Sequence, residues 1–343
     1  MWKSGLKWMF LIIGTMIGAG YASGRELWQF FGYESGLAIL IFSVLFFVCC
    51  YVIMDISYKE KSEHYIPVLE KLMGKKLTSM YDGMIILYLF STTVIMIAGG
   101  GATLEVLHIP YWYGVIIISG LLVLLFIWGL NGMTSMNAVL IPLLILFLVG
   151  TLLVFQWNTN GFNMEFSIDK QSNWPAAFTF TALNILPLVA VLGAIGKKIN
   201  HRGELWIASL GSAILLGTVS LLYNQSLINV AQEVMVYEIP LFAILQNYPY
   251  FMVLIMSGLL WAAIYTTAAS GMLGLCTRFK AYLNIPFWQL SSLLLLLMIP
   301  LTTIGFSKLI SVLYPIYGLV NLYILAAIML YPIIHRFDDE SLP

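Results

Sequence analysis

Charge is what this chain has least of. Its 343 residues include 16 basic and 16 acidic side chains, 9% in all, against 61% hydrophobic residues. A soluble domain carries about 25% charged residues. Too few charges remain to cover a water-facing surface, which excludes a soluble globular protein and implies an integral membrane protein. Cysteine is also scarce: three residues, with Cys49 and Cys50 adjacent in an apolar run, form no disulfide framework. The four histidines, His64, His108, His201 and His335, are scattered without metal-ligand spacing. No phosphate loop, dinucleotide fingerprint or nucleophile elbow occurs, and no span contains paired catalytic groups, so no enzyme and no bound cofactor are expected. A net charge of zero offers nothing to a nucleic acid.

Long apolar runs are what the chain has instead. A spanning helix needs about 20 apolar residues. Ten runs of this kind lie near 6–31, 36–57, 78–106, 110–129, 133–156, 174–197, 203–224, 250–277, 285–303 and 306–335. They are continuous, unlike the alternating segments of a transmembrane barrel. The sequence thus reads as one all-α transmembrane domain over residues 1–343. Ten spans place both termini on one side of the bilayer, and basic residues choose the side. With the termini cytoplasmic, 13 of the 16 basic residues fall inside: Lys3, Lys7, Lys59, Lys61, Lys71, Lys75, Lys76, Lys197, Lys198, Arg202, Arg278, Lys280 and Arg336. Only Arg25, Lys170 and Lys308 are left outside. A cleavable leader at the start fits poorly, because removing it would leave nine spans and spoil this asymmetry.

The first span is unusual. It places Gly14, Gly18, Gly20 and Gly24 at bilayer depth and follows them at once with Arg25 and Glu26. Spaced small residues pack helices closely, yet four glycines cost helix stability and a charged pair at this depth is expensive. An unwound segment around Gly18–Gly20 is predicted. Irregular backbone within a membrane is tolerated only where it is buried in protein or lines a cavity. Its freed amides suit an anionic group and its freed carbonyls suit a cation. An inverted-repeat architecture predicts a second break five spans later, and span six offers Pro187 with Asn184 beside it.

Ten spans, a glycine-rich first helix and a proline-bearing sixth resemble the LeuT fold of the amino acid–polyamine–organocation superfamily. The stretch from Gly14 to Glu26 is similar to the YkvI-like bacterial membrane proteins. The resemblance implies two inverted five-helix repeats, about 6–156 and 174–335, with helices 1 and 6 broken at mid-membrane. It places the chain in the bacterial cytoplasmic membrane. It also implies a sodium ion held by the carbonyls of Gly14, Ile17 and Ala263 and the hydroxyls of Thr266 and Thr267, five neutral oxygens suited to a hard cation. Span five lacks the lysine that some proton-coupled relatives place near this position. Read without the resemblance, Thr266 and Thr267 bond back to their own helix.

The implied substrate is an amino acid or similar zwitterion. Gly18, Ala19, Gly20 and Tyr21 would meet its carboxylate and ammonium, and Ser91, Thr92, Phe178, Phe180, Thr181, Asn184 and Tyr265 would form the walls. In related transporters a first-helix arginine pairs with an acidic residue of the tenth helix as an outer gate. Arg25 and Glu26 stand near that place, but span ten has no acidic residue, which leaves Glu26, Glu105, Glu233 and Glu238 as partners for Arg25. The segment 225–249 is too polar to span and is expected to cap the outer vestibule; 58–77 reads as a solvated surface helix. Sodium-coupled secondary transport is the function implied, with a nutrient sensor of the spore-germination type as the alternative.

Overall fold

The structure, a computed structural model, describes residues 2–128, 133–159, 171–280, 283 and 285–334. Lys170 and Arg336, used above to orient the chain, and His335 lie outside the described residues. Helices make up every regular element described: α1 (Trp2–Met16), α2 (Ala19–Ala22), α3 (Arg25–Phe30), α4 (Gly36–Glu60), α5 (Ile66–Glu105), α6 (Tyr111–Trp128), α7 (Met133–Asn158) and α8 (Ala176–Leu192). They continue as α9 (Arg202–Asn229), α10 (Ala231–Val234), α11 (Leu241–Leu245), α12 (Tyr250–Lys280), α13 (Phe287–Met298), α14 (Phe306–Val320) and α15 (Leu322–Ile334), with short 3-10 helices at Gly196–Lys198 and Ile299–Ile304. Such apolar runs fold as helices because each backbone N–H and C=O then finds its partner within the segment, with no help from water.

Among the described residues, seven stretches are long and apolar enough to cross a membrane: Gly36–Glu60, Ile66–Glu105, Val139–Asn158, Arg202–Asn229, Tyr250–Lys280, Phe287–Ile304 and Phe306–Ile334. Tyr111–Ile127 and Ala176–Leu192 are shorter apolar helices, and the first span is divided among α1, α2 and α3. Within α5, Gly74 (φ 76°, ψ 166°) separates a short leading piece from the long remainder. The segment expected as a surface helix therefore includes the start of α5, bent away at this glycine.

The helices pack in a defined pattern. α5 and α12 share the most extensive contact; α1 lies on α9, and α4 lies on both α9 and α8. α6 packs on α5 and α13, α7 on α12 and α9, α14 on α8 and α5, and α15 on α4 and α8. Small residues permit the closest of these approaches. A Cβ at Gly114 would lie 2.6 Å from the Gly100 carbonyl oxygen, so the backbones of α5 and α6 touch. The Gly99–Gly100–Gly101 run, which stays helical, accepts Phe306, Ile118 and Tyr111 in turn.

The ends of α4 and α8 are tied together. Ser57 Oγ donates to the Leu192 carbonyl (2.8 Å), Ser62 Oγ donates to the Gly193 carbonyl (2.6 Å), and the two hydroxyls lie 2.7 Å apart. These serines satisfy the last carbonyls of α8, which a helix end otherwise leaves bare. Nearby, Lys197 pairs with Glu63 at 2.8 Å and holds its carboxyl below the usual carboxylate range. Arg278 pairs with Asp82, which also accepts from the Tyr65 hydroxyl (3.0 Å), joining α12 to α5.

Candidate functional site

α1 ends at Met16, and the chain is extended at Gly18 (φ −82°, ψ −176°) before α2 begins. The interruption falls at Ile17–Gly18, at the leading edge of the predicted segment; Gly20 itself lies in the turn of α2. The Gly18 amide donates to the Met16 carbonyl (2.8 Å), so the Gly14 carbonyl loses its helical donor. A second interruption follows at Ser23–Gly24, where Gly24 is left-handed (φ 77°). α9 holds the short piece between them. The Tyr21 hydroxyl lies 2.8 Å from Ser220 Oγ and 3.3 Å from the Leu216 carbonyl, and the Tyr223 hydroxyl donates to the Ala22 carbonyl at 3.0 Å. Asn224 donates to the Gly32 carbonyl at 2.8 Å. Tyr223→Phe should cost about 1 kcal/mol of stability, the net worth of one such bond, visible as a lower Tm by thermal unfolding.

The span-six break predicted at Pro187 is not present. α8 runs unbroken from Ala176 to Leu192 with Pro187 inside it. A proline removes one backbone bond, and membrane helices absorb that loss. The Asn184 amide, expected beside a break, donates to the Phe180 carbonyl of its own helix at 2.8 Å.

The expected sodium ligands come from α1, from the interruption that follows it and from α12. Gly18 packs on Thr267, whose Oγ1 would lie 3.8 Å from a Cβ built at that glycine, so the first interruption rests on α12. Thr266 and Thr267 both donate to the Ala263 carbonyl (3.0 and 2.8 Å), and Ala263 and Thr266 are buried. Gly14 faces Ile141 of α7. Among the described residues, no group of three or more His, Cys, Asp or Glu side chains could hold a metal.

The expected substrate walls divide. Ser91 and Thr92 of α5 and Thr181 and Asn184 of α8 are buried. Ser91 Oγ lies 2.6 Å from the Tyr317 hydroxyl, which joins α5 to α14. Phe180 is buried among Phe30, Phe31 and Phe42, with ring centroids 4.8 to 5.4 Å away. It is part of an aromatic core. Phe178 is 36% exposed and meets Trp174 edge to face. Tyr265 also turns away. Two residues from Thr267, it points to the opposite side of α12, where its hydroxyl reaches the Leu121 carbonyl of α6 at 3.3 Å.

Arg25 and Glu26, expected to act together at a gate, are directed apart. The carboxylate whose charge acts on Arg25 is Glu238. Glu238 in turn accepts the Ser307 amide (2.7 Å) at the start of α14, so an acid from outside span ten is delivered to that helix. The preceding segment also docks here: the Leu241 amide donates to the Ser23 carbonyl (2.9 Å), and α11 is wholly buried. Glu26 turns inward. It is 8% exposed, its carboxylate lies against Gly20, and the Tyr314 hydroxyl is a close neighbour. Tyr88 and Tyr21 are its other close titratable neighbours. Tyr88, Tyr314 and Tyr317 were not anticipated from the sequence.

No protein-family model matches the chain. It is 48% identical over 337 residues to the uncharacterized protein YyaD of Bacillus subtilis (strain 168), spanning 98% of this chain and 99% of that one. It is also 24% identical over 334 residues to the uncharacterized membrane protein YkvI of the same organism, covering 93% of this chain and 94% of YkvI. That distant likeness to a membrane protein agrees with the apolar helices, and the near end-to-end match at 48% identity places this chain in the family of YyaD.

Proposed function

We propose that this protein is a secondary transporter that couples sodium binding to the movement of an amino acid or similar zwitterion by alternating access. The observation that carries this reading is the interruption at Ile17–Gly18 lying against Thr267 of α12. An unwound backbone with a released Gly14 carbonyl, packed on a hydroxyl of a neighbouring helix, is the arrangement that binds ions in transporters. The carbonyls of Gly14, Ile17 and Ala263 and the hydroxyls of Thr266 and Thr267 would hold the ion. Both hydroxyls now donate to Ala263, which leaves their oxygen lone pairs free for a cation.

The packing supports two five-helix repeats. The shorter helices α6 and α8 and the divided first span, added to the seven long stretches, give ten crossings. Exchanging the first five for the last five carries α1 on α9 into α8 on α4, α5 on α6 into α12 on α13, and α7 on α12 into α14 on α5. The pairs α5–α12, α4–α9 and α6–α13 map onto themselves. On this reading both termini are cytoplasmic. Arg25, Glu238 and the start of α14 then close the outer side, and α11 fills the outer vestibule.

The test is thermal unfolding of purified protein with a pooled amino-acid library, in sodium chloride and in potassium chloride at equal ionic strength. A bound ligand at about 100 times its Kd adds roughly 2.7 kcal/mol. The expected result is a rise in Tm that requires sodium and weakens in Thr267→Ala. An equal rise in both salts would refute the sodium site, and no rise in either would refute amino-acid recognition.

A further inference from the structure

We infer that Glu26 is the docking group for an organic ammonium, the amine end of the solute that this protein moves. The inference rests on the transporter reading and goes beyond it by naming the group recognised. Resemblance alone assigns the ammonium to backbone carbonyls at the helix breaks. A side-chain carboxylate at the first interruption, with α8 left unbroken, changes that assignment.

Four elements meet at Glu26. It stands on α3, and its carboxylate lies against the backbone of Gly20 in α2, where any Cβ would overlap it. Tyr314 of α14 and Tyr88 of α5 are further neighbours. No basic side chain opposes it among the described residues: Arg25, its neighbour in sequence, feels the charge of Glu238 instead. The nearby hydroxyls are mostly committed. Tyr21 reaches Ser220 and the Leu216 carbonyl, and Tyr317 reaches Ser91 and the Leu87 carbonyl. The Tyr314 hydroxyl thus neighbours a carboxylate that can accept about four bonds.

A carboxylate buried at this depth without a counter-charge is costly, and side chains of this kind within membrane spans mark ligand paths. A primary ammonium matches what is missing. It brings three donors and no acceptor, and aromatic rings such as those of Tyr88 and Tyr314 attract a cation that meets their faces. The position is apt as well, because Gly20 lies two residues beyond the interruption at Gly18.

The experiment uses matched triplets on the purified full-length chain in sodium chloride, read by thermal unfolding. Each triplet is an amino acid, the amine lacking its carboxylate and the acid lacking its amine. Suitable sets are L-leucine, isoamylamine and 4-methylpentanoate; L-alanine, ethylamine and propionate; and L-phenylalanine, phenethylamine and 3-phenylpropionate. Sodium and potassium chloride without any solute form a separate arm. The expected result is that an amino acid or amine raises Tm while its matched acid does not. Glu26→Gln should weaken that ligand roughly 30-fold or more, as losing a buried charge partner does, and Glu26→Asp should recover part of the loss.

A matched acid acting as well as the amine would overturn the assignment, and so would no shift from any amine or amino acid. A rise with sodium alone that Glu26→Gln removes would make Glu26 an ion ligand instead. An amino acid that binds with sodium equally in wild type and Glu26→Gln would sink this inference while leaving the transporter reading intact. If Glu26→Gln does not fold, the wild-type triplets still decide whether an ammonium is required.

Discussion

Gly196→Val is expected to yield little folded protein. A Cβ at Gly196 would overlap the Ser57 carbonyl oxygen and lie 2.6 Å from its carbon atom, so the obstacle is backbone. That backbone cannot easily retreat. Ser57 is fully buried at the end of α4, and its hydroxyl is engaged with Leu192 and Ser62. Overpacking costs about 1–3 kcal/mol in ordinary cores, and valine adds two further methyl groups where no Cβ fits, so a loss of about 3 kcal/mol or more is expected. The readouts are the recovery of monodisperse protein and its Tm. Gly83→Ala is the control: nothing lies within 4 Å of a Cβ there, and an alanine in the middle of α5 should be neutral or gain about 0.5–1 kcal/mol. A Gly196→Val protein as stable as wild type would mean that α4 and the Gly196–Lys198 turn after α8 do not pack as described.

Gly24→Ala carries the second large effect, for two reasons that act together. The residue is left-handed (φ 77°), a conformation that costs a side-chain-bearing residue about 1–2 kcal/mol. The new methyl group would also lie 2.7 Å from the Tyr223 hydroxyl and 2.8 Å from its ring. Tyr223 is fully buried and caps the Ala22 carbonyl, so yielding to the methyl group breaks that bond. The combined loss should be about 3 kcal/mol. Because both changes act on one contact, Gly24→Ala with Tyr223→Phe should cost less than the sum of the two alone. Full additivity in thermal unfolding would show that the ring and the glycine do not meet.

Much of the architecture is legible in the sequence because a membrane imposes a length and an apolar composition on each crossing. The first interruption is legible for a related reason: Gly14, Gly18, Gly20 and Gly24 weaken a helix that Arg25 and Glu26 already make expensive. Its placement at Ile17–Gly18 depends on which single residue turns extended, and four glycines offer several choices. The sixth span misleads because one proline deletes one bond, which is too little to break α8, while Asn184 spends its amide on its own helix. Tyr265 could have been set aside from periodicity alone, since two positions along a helix reverse the face relative to Thr267. The cluster at Glu26 was not legible. Tyr88 and Tyr314 come from α5 and α14, far apart in sequence, and in a chain with 14% aromatic residues neither stands out. The separation of Arg25 from Glu26 likewise needs Glu238, whose docking at Ser307 no local pattern announces.

The bonds around α2 also set an order of events in biosynthesis. The Tyr21 hydroxyl is satisfied by Leu216 and Ser220, the Ala22 carbonyl by Tyr223, and the Ser23 carbonyl by Leu241. Every one of these partners leaves the ribosome about 200 residues after the group it satisfies. The first span, glycine-rich and ending in charge, therefore enters the bilayer with its own polar groups unmet. It reaches its final form only when α9 and the segment bearing Leu241 have followed it, so a nascent chain halted before residue 216 would hold an unfinished first helix.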